Sequence, residues 1–588
     1  MKFPTVGISL GVGLLVAECV AWIRGVLDSF GGGGIWLALL QSLVLYVVVG
    51  ATIDLAVQLV ARGRWKASPI LRGLPFVILA IFLHYNFGVA KLLALATIPG
   101  AVVWACAVHV RWGVPLAAGM VLFGFSPAFT GAGSQVTRTP LVDSWRDGPS
   151  FVLVVLDTVR RDHCSTYGYG RDTTPNLTTL ARSGAKFEDA YASSCWSIPS
   201  HASLFTGLLP RNHGATFEHF RLESDSRTVA SVLAAAGWET VGFSANPYIA
   251  SGTGMDRGFN RYEDLWRPAV MRRMVVAKQL WARLTGVDQD KGGRSVVDEF
   301  RRWLDERDGD RPYFAFVNIM EAHAPYQDAP LRAAFTDPGL SGGALEKIGD
   351  LSHEAQWMGT RVDDEHLAPT LDLLDGATAS ADRFLGEILN AVGDDAVVVV
   401  LSDHGDLVGE HDLHGHMTGL YEPLIRIPLV IAGPGIPAGA EIRGPVSIVD
   451  VMPTILTLAG VEKPPTDGID LAPAMAGEIS LQDRLVTAEH YRTDRATQLW
   501  AQYRSPEEMR SIQARRAAVV GGRRKRVVAQ DGSDLGYDLL ADPLEQRPFL
   551  GADTGHEVSV PTPRDLDAGP VELDPAQIEA LRSLGYVH

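Results

Sequence analysis

The residues best suited to chemistry are a serine, two aspartates and a histidine in three separate segments. Asp157 ends Phe151-Val-Leu-Val-Val-Leu-Asp157, Ser197 lies in Cys195-Trp-Ser-Ile-Pro, and Asp403 and His404 lie in Leu401-Ser-Asp-His-Gly. Two carboxylates and an imidazole are good ligands for a divalent cation, and calcium, manganese, magnesium and zinc all stay open. A hydroxyl beside such a cation becomes a better nucleophile. The pattern predicts one divalent metal held by Asp157, Ser197, Asp403 and His404.

Ser197 is the predicted nucleophile. Pro199 suits the first turn of a helix that we expect to run to about Thr206. Ser197 would then lie at the helix N-terminus, where free N–H groups and the helix dipole favour an anionic oxygen. Ser200 and Cys195 remain rival nucleophiles.

Four histidines could bind an anionic ester or protonate its leaving group. They are His201, four residues after the nucleophile, His323 in Glu321-Ala-His-Ala-Pro, and His414 and His416 in a histidine-rich run, of which His416 is favoured. Imidazole can do this work near neutral pH.

These residues follow apolar runs that have the character of buried strands. Segments 151–156, 313–319 and 396–401 are short and apolar, and 239–244 is a fourth strand. Helix-like segments alternate with them at 228–236, 295–306 and 377–392. This alternation predicts an α/β fold with a mainly parallel sheet, whose strand ends would deliver the candidate residues to one edge.

The first 130 residues have a different character, because they are almost continuously apolar. Runs at about 5–27, 35–60, 70–87, 89–110 and 113–130 predict a bundle of about five transmembrane helices. Basic residues crowd the loop between the second and third runs, so that loop should be cytoplasmic. An inward N-terminus and five spans then place the rest outside the cytoplasm, in a multi-pass protein of the cell membrane. We expect a linker at 131–149, a catalytic domain at 150–550 and a C-terminal tail at 551–588.

Charge and cysteine content exclude some classes of function. The formal net charge is -16, and the apolar part contributes +5, so the globular part carries -21. A nucleic-acid partner is not expected, since phosphate backbones need basic patches. The four cysteines form no C-x-x-C pair, which disfavours a zinc knuckle, and a Cys164–Cys195 disulfide stays open.

The chain from about 150 to 550 resembles the sulfatase family of the alkaline-phosphatase-like superfamily. The landmarks are Phe151–Asp157, Trp196–Gly207, His323–Tyr326, Ser402–Gly405 and Asp450–Thr454. The resemblance implies a central sheet flanked by helices, with Asp157, Asp403 and His404 binding metal and Ser197 at the nucleophile position. It also implies that His323 and His416 contact the anionic ester.

The chain departs from the family pattern at three points. His201 stands where the family has the arginine of its nucleophile motif, which argues against conversion of Ser197 to formylglycine and leaves its modification open. Thr158 replaces a second aspartate, and His416 replaces a lysine. The predicted anchor resembles lipoteichoic-acid synthases and phosphoethanolamine transferases, which use an unmodified threonine.

These observations leave three functions open and disfavour a fourth. The first is a membrane-anchored, metal-dependent hydrolase of sulfate or phosphate esters with Ser197 as nucleophile. The second is a transferase that moves a phospho-group from a lipid donor. The third is a catalytically weak binding or sensor module. A transporter is disfavoured, because the apolar part shows no paired halves. The substrate and the oligomeric state stay open.

Overall fold

A computed structural model describes residues 135–142, 144, 147–266, 290–307, 309, 311–493 and 497–562. The five apolar runs lie outside these residues. Among the helices of the described part, none combines the length and the apolar character needed to cross a membrane.

The central feature is a mixed sheet of ten strands. In chain order its strands are β1 (Gln135–Arg138), β2 (Ser150–Leu156), β3 (Gly184–Tyr191), β4 (Glu239–Ser244), β5 (Arg261–Asp264), β6 (Tyr313–Ile319), β7 (Ala396–Leu401), β10 (Arg426–Ile427), β11 (Leu429–Ala432) and β12 (Ala440–Ser447). The spatial order is β1-β5-β4-β6-β2-β7-β11-β3-β10, and β12 pairs with β3. Strands β5, β4, β6, β2 and β7 run parallel, as expected. Strands β1, β11 and β10 are antiparallel to their neighbours, so the sheet is mixed rather than mainly parallel.

The helices of the described part pack mainly into the apolar cores on the two faces of this sheet, and the last one packs beside a second, smaller sheet. They are α1 (Pro175–Ser183), α2 (Ser197–Thr206), α3 (Pro210–His213), α4 (Val229–Ala236), α5 (Gly293–Glu306), α6 (Gly342–Met358), α7 (Asp364–Val392), α8 (Glu422–Ile425), α9 (Val451–Leu458), α10 (Ala472–Met475) and α11 (Pro506–Ile512). The predicted helix at 377–392 is the second half of α7, which begins at Asp364. Its first half escaped prediction because Pro369 interrupts the pattern.

Strand β2 shows why the sheet is buried on both faces. Phe151, Leu153 and Val155 pack into one apolar core, whereas Val152 and Val154 pack into the core on the opposite face. Successive side chains of a strand point to opposite faces, so an unbroken apolar run needs a covered sheet.

A second, smaller sheet follows the first along the chain. It is an antiparallel meander of β13 (Leu485–His490), β14 (Arg516–Gly521), β15 (Arg524–Ala529), β16 (Asp534–Asp538) and β17 (Phe549–Leu550). Two-residue strands β8 (Leu407–Val408) and β9 (His414–Gly415) form a hairpin after β7. The sequence patterns did not predict these pieces, and the expected linker at 131–149 contains strand β1 of the main sheet.

Candidate active site

The loops after β2 and β7 meet at one edge of the sheet. The two strands pair in parallel with Val155 opposite Leu401, so Asp157 and Asp403 leave the sheet side by side. The backbone N–H of Thr158 donates to Oδ1 of Asp403 over 3.0 Å. Thr158 adopts φ +58°, a conformation that is uncommon for a β-branched residue and costs free energy. The predicted convergence of these two loops is therefore present in the structure.

The two carboxylates form a cradle with open oxygens. Oδ2 of Asp157 accepts from the amides of Asn246 (2.8 Å) and Asn318 (3.1 Å), but its Oδ1 has no partner. Oδ1 of Asp403 accepts from Thr158 and from the N–H of His404, but its Oδ2 has no hydrogen-bond donor. Both aspartates are fully buried. Burying a carboxylate oxygen that accepts no hydrogen bond costs free energy. A divalent cation coordinated by these two oxygens would offset that cost.

His201 joins the two carboxylates. Asp157, His201 and Asp403 form a fully buried group whose ligand atoms lie within 4.8 Å of one another. The Nδ1–H of His201 donates to the carbonyl of Ser197 over 2.9 Å, and its Nε2 has no partner. Burial lowers the pKa of His201 to about 4, which keeps the imidazole in the neutral form that metals bind. The donor set of two carboxylates and one neutral imidazole fits a divalent cation.

Ser197 lies at the first position of α2, as predicted. Trp196 before it has extended backbone angles, and the helix ends at Gly207 with φ +67°. The hydroxyl of Ser197 donates to Nε2 of His404 over 3.2 Å. The Nδ1–H of His404 donates to the carbonyl of Gly405 over 3.0 Å, and this bond leaves Nε2 as the acceptor. The arrangement places a basic nitrogen on the hydroxyl at a helix N-terminus.

His201 and His404 both lie beside the carboxylates. Nε2 of His404 is 3.3 Å from Oδ2 of Asp403, and Nδ1 of His201 is 3.6 Å from the same oxygen. The assignment of His404 to the cation and of His201 to the ester stays a prediction.

The two rival nucleophiles are engaged elsewhere. The hydroxyl of Ser200 donates to the carbonyl of Asp403 over 2.6 Å. Sγ of Cys195 lies 3.4 Å from Nδ1 of His490, and burial raises the pKa of its thiol to about 12. Cys195 and Cys164 are both free thiols, so the disulfide left open by the sequence is not formed.

His416 approaches the site at the end of the β8–β9 hairpin. Its ring centre lies 4.5 Å from that of His404 and 5.1 Å from that of His323. The Nδ1–H of His416 donates to Oδ1 of Asp406 over 2.5 Å. Although burial opposes it, the carboxylate of Asp406 raises the pKa of His416 above its usual range. An imidazole with a raised pKa thus lies beside His404 and His323.

Asp406 links three loops through its three oxygens. Oδ1 accepts from His416, Oδ2 accepts from the hydroxyl of Tyr326 over 2.8 Å, and the carbonyl accepts from Nη1 of Arg160 over 3.0 Å. The same Nη1 also donates to Glu410 over 2.7 Å. The loops after β2, β6 and β7 are thereby fixed to one another around the site.

His323 lies beside a lysine that the sequence analysis missed. Its Nδ1–H donates to the carbonyl of Ala324 over 2.6 Å, and burial lowers its pKa to about 4. Nζ of Lys291 donates to the carbonyl of Glu321 over 2.9 Å and to that of His323. Burial lowers the pKa of Lys291 to about 8, with the charge of Glu321 acting in the opposite direction. A partly buried lysine with a lowered pKa therefore borders the histidine loop.

The sequence analysis also missed the amides of Asn246 and Asn318. Asn318 is the second-last residue of β6, and Asn246 follows the end of β4. The sequence signal for both amides is a polar residue at the end of an apolar parallel strand.

The mixed sheet flanked by helices and the buried Asp157–His201–Asp403 group, which could hold a metal ion, are typical of enzymes of the alkaline-phosphatase superfamily. The sequence model of the sulfatase family matches residues 149–461, more than half of the chain. The chain belongs to the sulfatase family, and it is a hydrolase of sulfate or phosphate esters.

Relatives of known activity are distant in sequence. A multifunctional alkaline phosphatase superfamily protein of Trinickia caryophylli is 26% identical over 467 residues, which cover 67% of this chain and 90% of that protein. A choline-sulfatase of Rhizobium meliloti is 25% identical, with 63% and 76% covered. A Δ4,5-hexuronate-2-O-sulfatase of Bacteroides thetaiotaomicron is 23% identical, with 57% and 73% covered.

Solved structures share the fold. The phosphonate monoester hydrolase of Agrobacterium radiobacter superposes with a TM-score of 0.51 at 21% identity, covering 68% of this chain and 91% of that one. A 2-O GAG sulfatase gives 0.52 at 19% identity, with 68% and 87% covered.

Proposed function

We propose that this chain is a metal-dependent ester hydrolase in which the unmodified hydroxyl of Ser197 attacks the sulfur or phosphorus atom. The observation that carries the proposal is the hydroxyl of Ser197, which donates to Nε2 of His404 beside the open oxygens of Asp157 and Asp403. Asp157, Asp403 and His201 would hold the cation, which when bound supplies charge stabilisation to the ester oxygens.

The proposed sequence of steps follows from the contacts of the chain's own residues. His404 takes the proton of Ser197 as Oγ bonds to sulfur or phosphorus and the bond to the alcohol oxygen breaks. His416, protonated and oriented by Asp406, gives a proton to the departing alcohol. Water then attacks the covalent Ser197 ester and gives a proton to His416, while protonated His404 returns its proton to the serine oxygen.

The test is a comparison of three variants on 4-nitrophenyl sulfate and bis(4-nitrophenyl) phosphate. Ser197→Ala should lower kcat by at least about 10³-fold while metal content is unchanged, because only the nucleophile is lost. His404→Gln should lower kcat with metal retained, and His201→Asn should lower metal content. If the His404 variant lost the ion and the His201 variant kept it, His404 rather than His201 would be the metal ligand, as the sequence predicts. Intact mass of the Ser197 peptide checks that the serine is unmodified.

A second candidate is a transferase that takes a phospho-group from a lipid. The observation that favours it is the run of apolar segments in residues 1–130, which would bring a catalytic domain to a bilayer. A labelled phospholipid incubated with the full chain distinguishes the two, since a transferase passes the label to an acceptor other than water.

We also propose that residues 1–130 anchor the chain in the cell membrane, with residues 150–550 on the extracytoplasmic side. The support is the basic loop between the second and third apolar runs. Protease added to intact cells should cleave the catalytic domain, and protection of that domain would reverse the proposed orientation.

A further inference from the structure

Asn246 is a buried amide that contacts two parts of the candidate site at once. Its Nδ2 donates to Oδ2 of Asp157 over 2.8 Å and to Oγ of Ser197 over 3.5 Å. All three side chains are at most 1% exposed. An amide nitrogen carries two N–H donors, so one side chain can serve both oxygens. Asn246 therefore connects a predicted metal ligand to the predicted nucleophile.

The loop after β4 fixes the direction of this amide. The backbone N–H of Tyr248 donates to Oδ1 of Asn246 over 2.8 Å, which leaves Nδ2 as the end of the amide that faces the site. The ring of Tyr248 packs edge-on against that of Trp196, with ring centres 5.0 Å apart. Trp196 directly precedes Ser197, so this ring contact holds the loop beside the nucleophile.

Oγ of Ser197 has complementary partners on its two sides. Its hydrogen is donated to Nε2 of His404 over 3.2 Å, and its oxygen accepts from Nδ2 of Asn246. When His404 takes the proton, negative charge develops on an oxygen at which an N–H group already points. A hydrogen bond to a charged oxygen is stronger than one to a neutral hydroxyl. The distance of 3.5 Å is long for the neutral hydroxyl, and such bonds commonly shorten in the transition state.

We propose that Asn246 is a catalytic hydrogen-bond donor that stabilises the negative charge on Oγ of Ser197. This inference rests on the proposed function, because it takes Ser197 as the point of attack.

The charge on Oγ develops twice in the proposed reaction. In the first step Oγ gives its proton to His404 and bonds to sulfur or phosphorus, and the bond to the alcohol oxygen breaks. In the second step water bonds to sulfur or phosphorus and gives a proton to His416. The electron pair of the broken bond returns to Oγ, which recovers its proton from His404. Asn246 donates to Oγ in both steps.

Asn318 provides a matched control, because it contacts the same carboxylate oxygen as Asn246. Its Nδ2 donates to Oδ2 of Asp157 over 3.1 Å. Its Cα lies opposite that of Ser244 at the end of β4, so both amides approach Asp157 from neighbouring strands. Within the described part of the chain, Asn318 makes no hydrogen bond to Ser197. A comparison of the two amides therefore isolates the contact with Oγ.

The experiment compares Asn246→Ala with Asn318→Ala in the full chain at saturating manganese. Asn246→Ala should lower kcat on 4-nitrophenyl sulfate or bis(4-nitrophenyl) phosphate by about 10²- to 10³-fold, the usual loss for one donor to a developing oxyanion. Asn318→Ala should lower kcat by less than about tenfold. Both variants should weaken manganese binding about 10- to 100-fold in calorimetry, because each loses a bond to Asp157. Equal losses of kcat in the two variants would overturn the proposal.

Inhibition by vanadate separates catalysis from a structural role. Vanadate bonded to Oγ adopts the five-coordinate geometry of a transition state, whereas inorganic phosphate resembles the ground state. Asn246→Ala should weaken inhibition by vanadate about 100-fold and inhibition by phosphate by less than about threefold. Equal weakening for both anions would show that Asn246 only shapes the site, and would overturn the proposal.

A second variant tests the loop itself. Asn246→Ser keeps a side-chain oxygen that can accept from the N–H of Tyr248, but it removes the amide that reaches Oγ of Ser197. Its kcat should stay as low as that of Asn246→Ala. Recovery of kcat in Asn246→Ser would assign the effect to the loop conformation and overturn the proposal. An unchanged kcat in Ser197→Ala would instead contradict the proposed function.

Discussion

Two regions of this protein bury acidic side chains, but only one of them pairs these acids with a basic side chain. At the edge of the main sheet, Asp157 and Asp403 have open oxygens and no lysine or arginine bonded to them among the described residues. Beside the small sheet, Glu422 and Glu545 share the ammonium of Lys525, at 3.2 and 2.7 Å. All these side chains are buried.

This difference separates acids that have a structural role from acids that could bind a ligand. Where acids serve only to join the small sheet to α8, the chain supplies its own cation from β15. Where the acids face Ser197, no lysine or arginine of the described residues is bonded to them, and the buried group could take up an external cation.

The largest expected effect comes from removing charge at the cradle. Asp403→Asn should lower kcat/KM by roughly 10³-fold, because the ion that stabilises ester charge is lost. Without metal, the same variant should melt at the same or a higher temperature, since an unpaired buried charge has been removed. Asp450→Asn is the matched control, because Asp450 is a buried aspartate held by both Nη atoms of Arg484. Asp450→Asn should lower the free energy of unfolding by about 3 kcal/mol. If Asp403→Asn also destabilised the metal-free protein, the proposed difference between the two acidic sites would be wrong.

Removal of the internal cation should have the opposite signature. Lys525→Met leaves two buried carboxylates uncompensated and should cost about 3–5 kcal/mol in the free energy of unfolding. Metal content and kcat of the folded fraction should be unchanged. Denaturant unfolding measures the loss, and Lys186→Met, at a half-buried ion pair with Glu188, should cost below about 1 kcal/mol.

Metal addition should stabilise the chain through the cradle only. At a free ion concentration of 100 times Kd, binding adds about 2.7 kcal/mol to the free energy of unfolding. Calorimetry with manganese, calcium, magnesium and zinc ranks the ions. The gain should vanish in Asp157→Asn and persist in Lys525→Met; an equal gain in both would place the ion elsewhere.

The smallest effect is a dependence of stability on pH at the small sheet. Burial raises the pKa of Glu545 to about 7 in the folded protein, with Lys525 opposing the shift. The folded chain therefore keeps this proton between about pH 4.5 and 7, where the unfolded chain has lost it, and stability falls as pH rises through that window. Glu545→Gln should flatten this part of the melting curve against pH, whereas Glu441→Gln, at an exposed side chain, should not. A slope unchanged by Glu545→Gln would contradict the assignment.

Much of the main sheet could be predicted because its parallel strands are unbroken apolar runs. Segments predicted at 239–244, 313–319 and 396–401 coincide with β4, β6 and β7. The two-residue strands β8, β9 and β10 could not be predicted, because so short a run has no periodicity. Strand β1 could not be predicted because it lies in a segment rich in glycine, serine and threonine, which is typical of a linker.

The sequence by itself determined the family and showed that candidate residues directly follow apolar strands. It also identified Ser197, Asp157 and Asp403 as candidate site residues. These follow from local residue types next to apolar strands. Only the tertiary structure decided that His201 completes the acidic group, that His404 faces the hydroxyl, and that Asn246, Asn318 and Lys291 border the site. The physical reason is that a hydrogen bond or an open lone pair depends on distances between residues far apart in the chain, which no local pattern encodes.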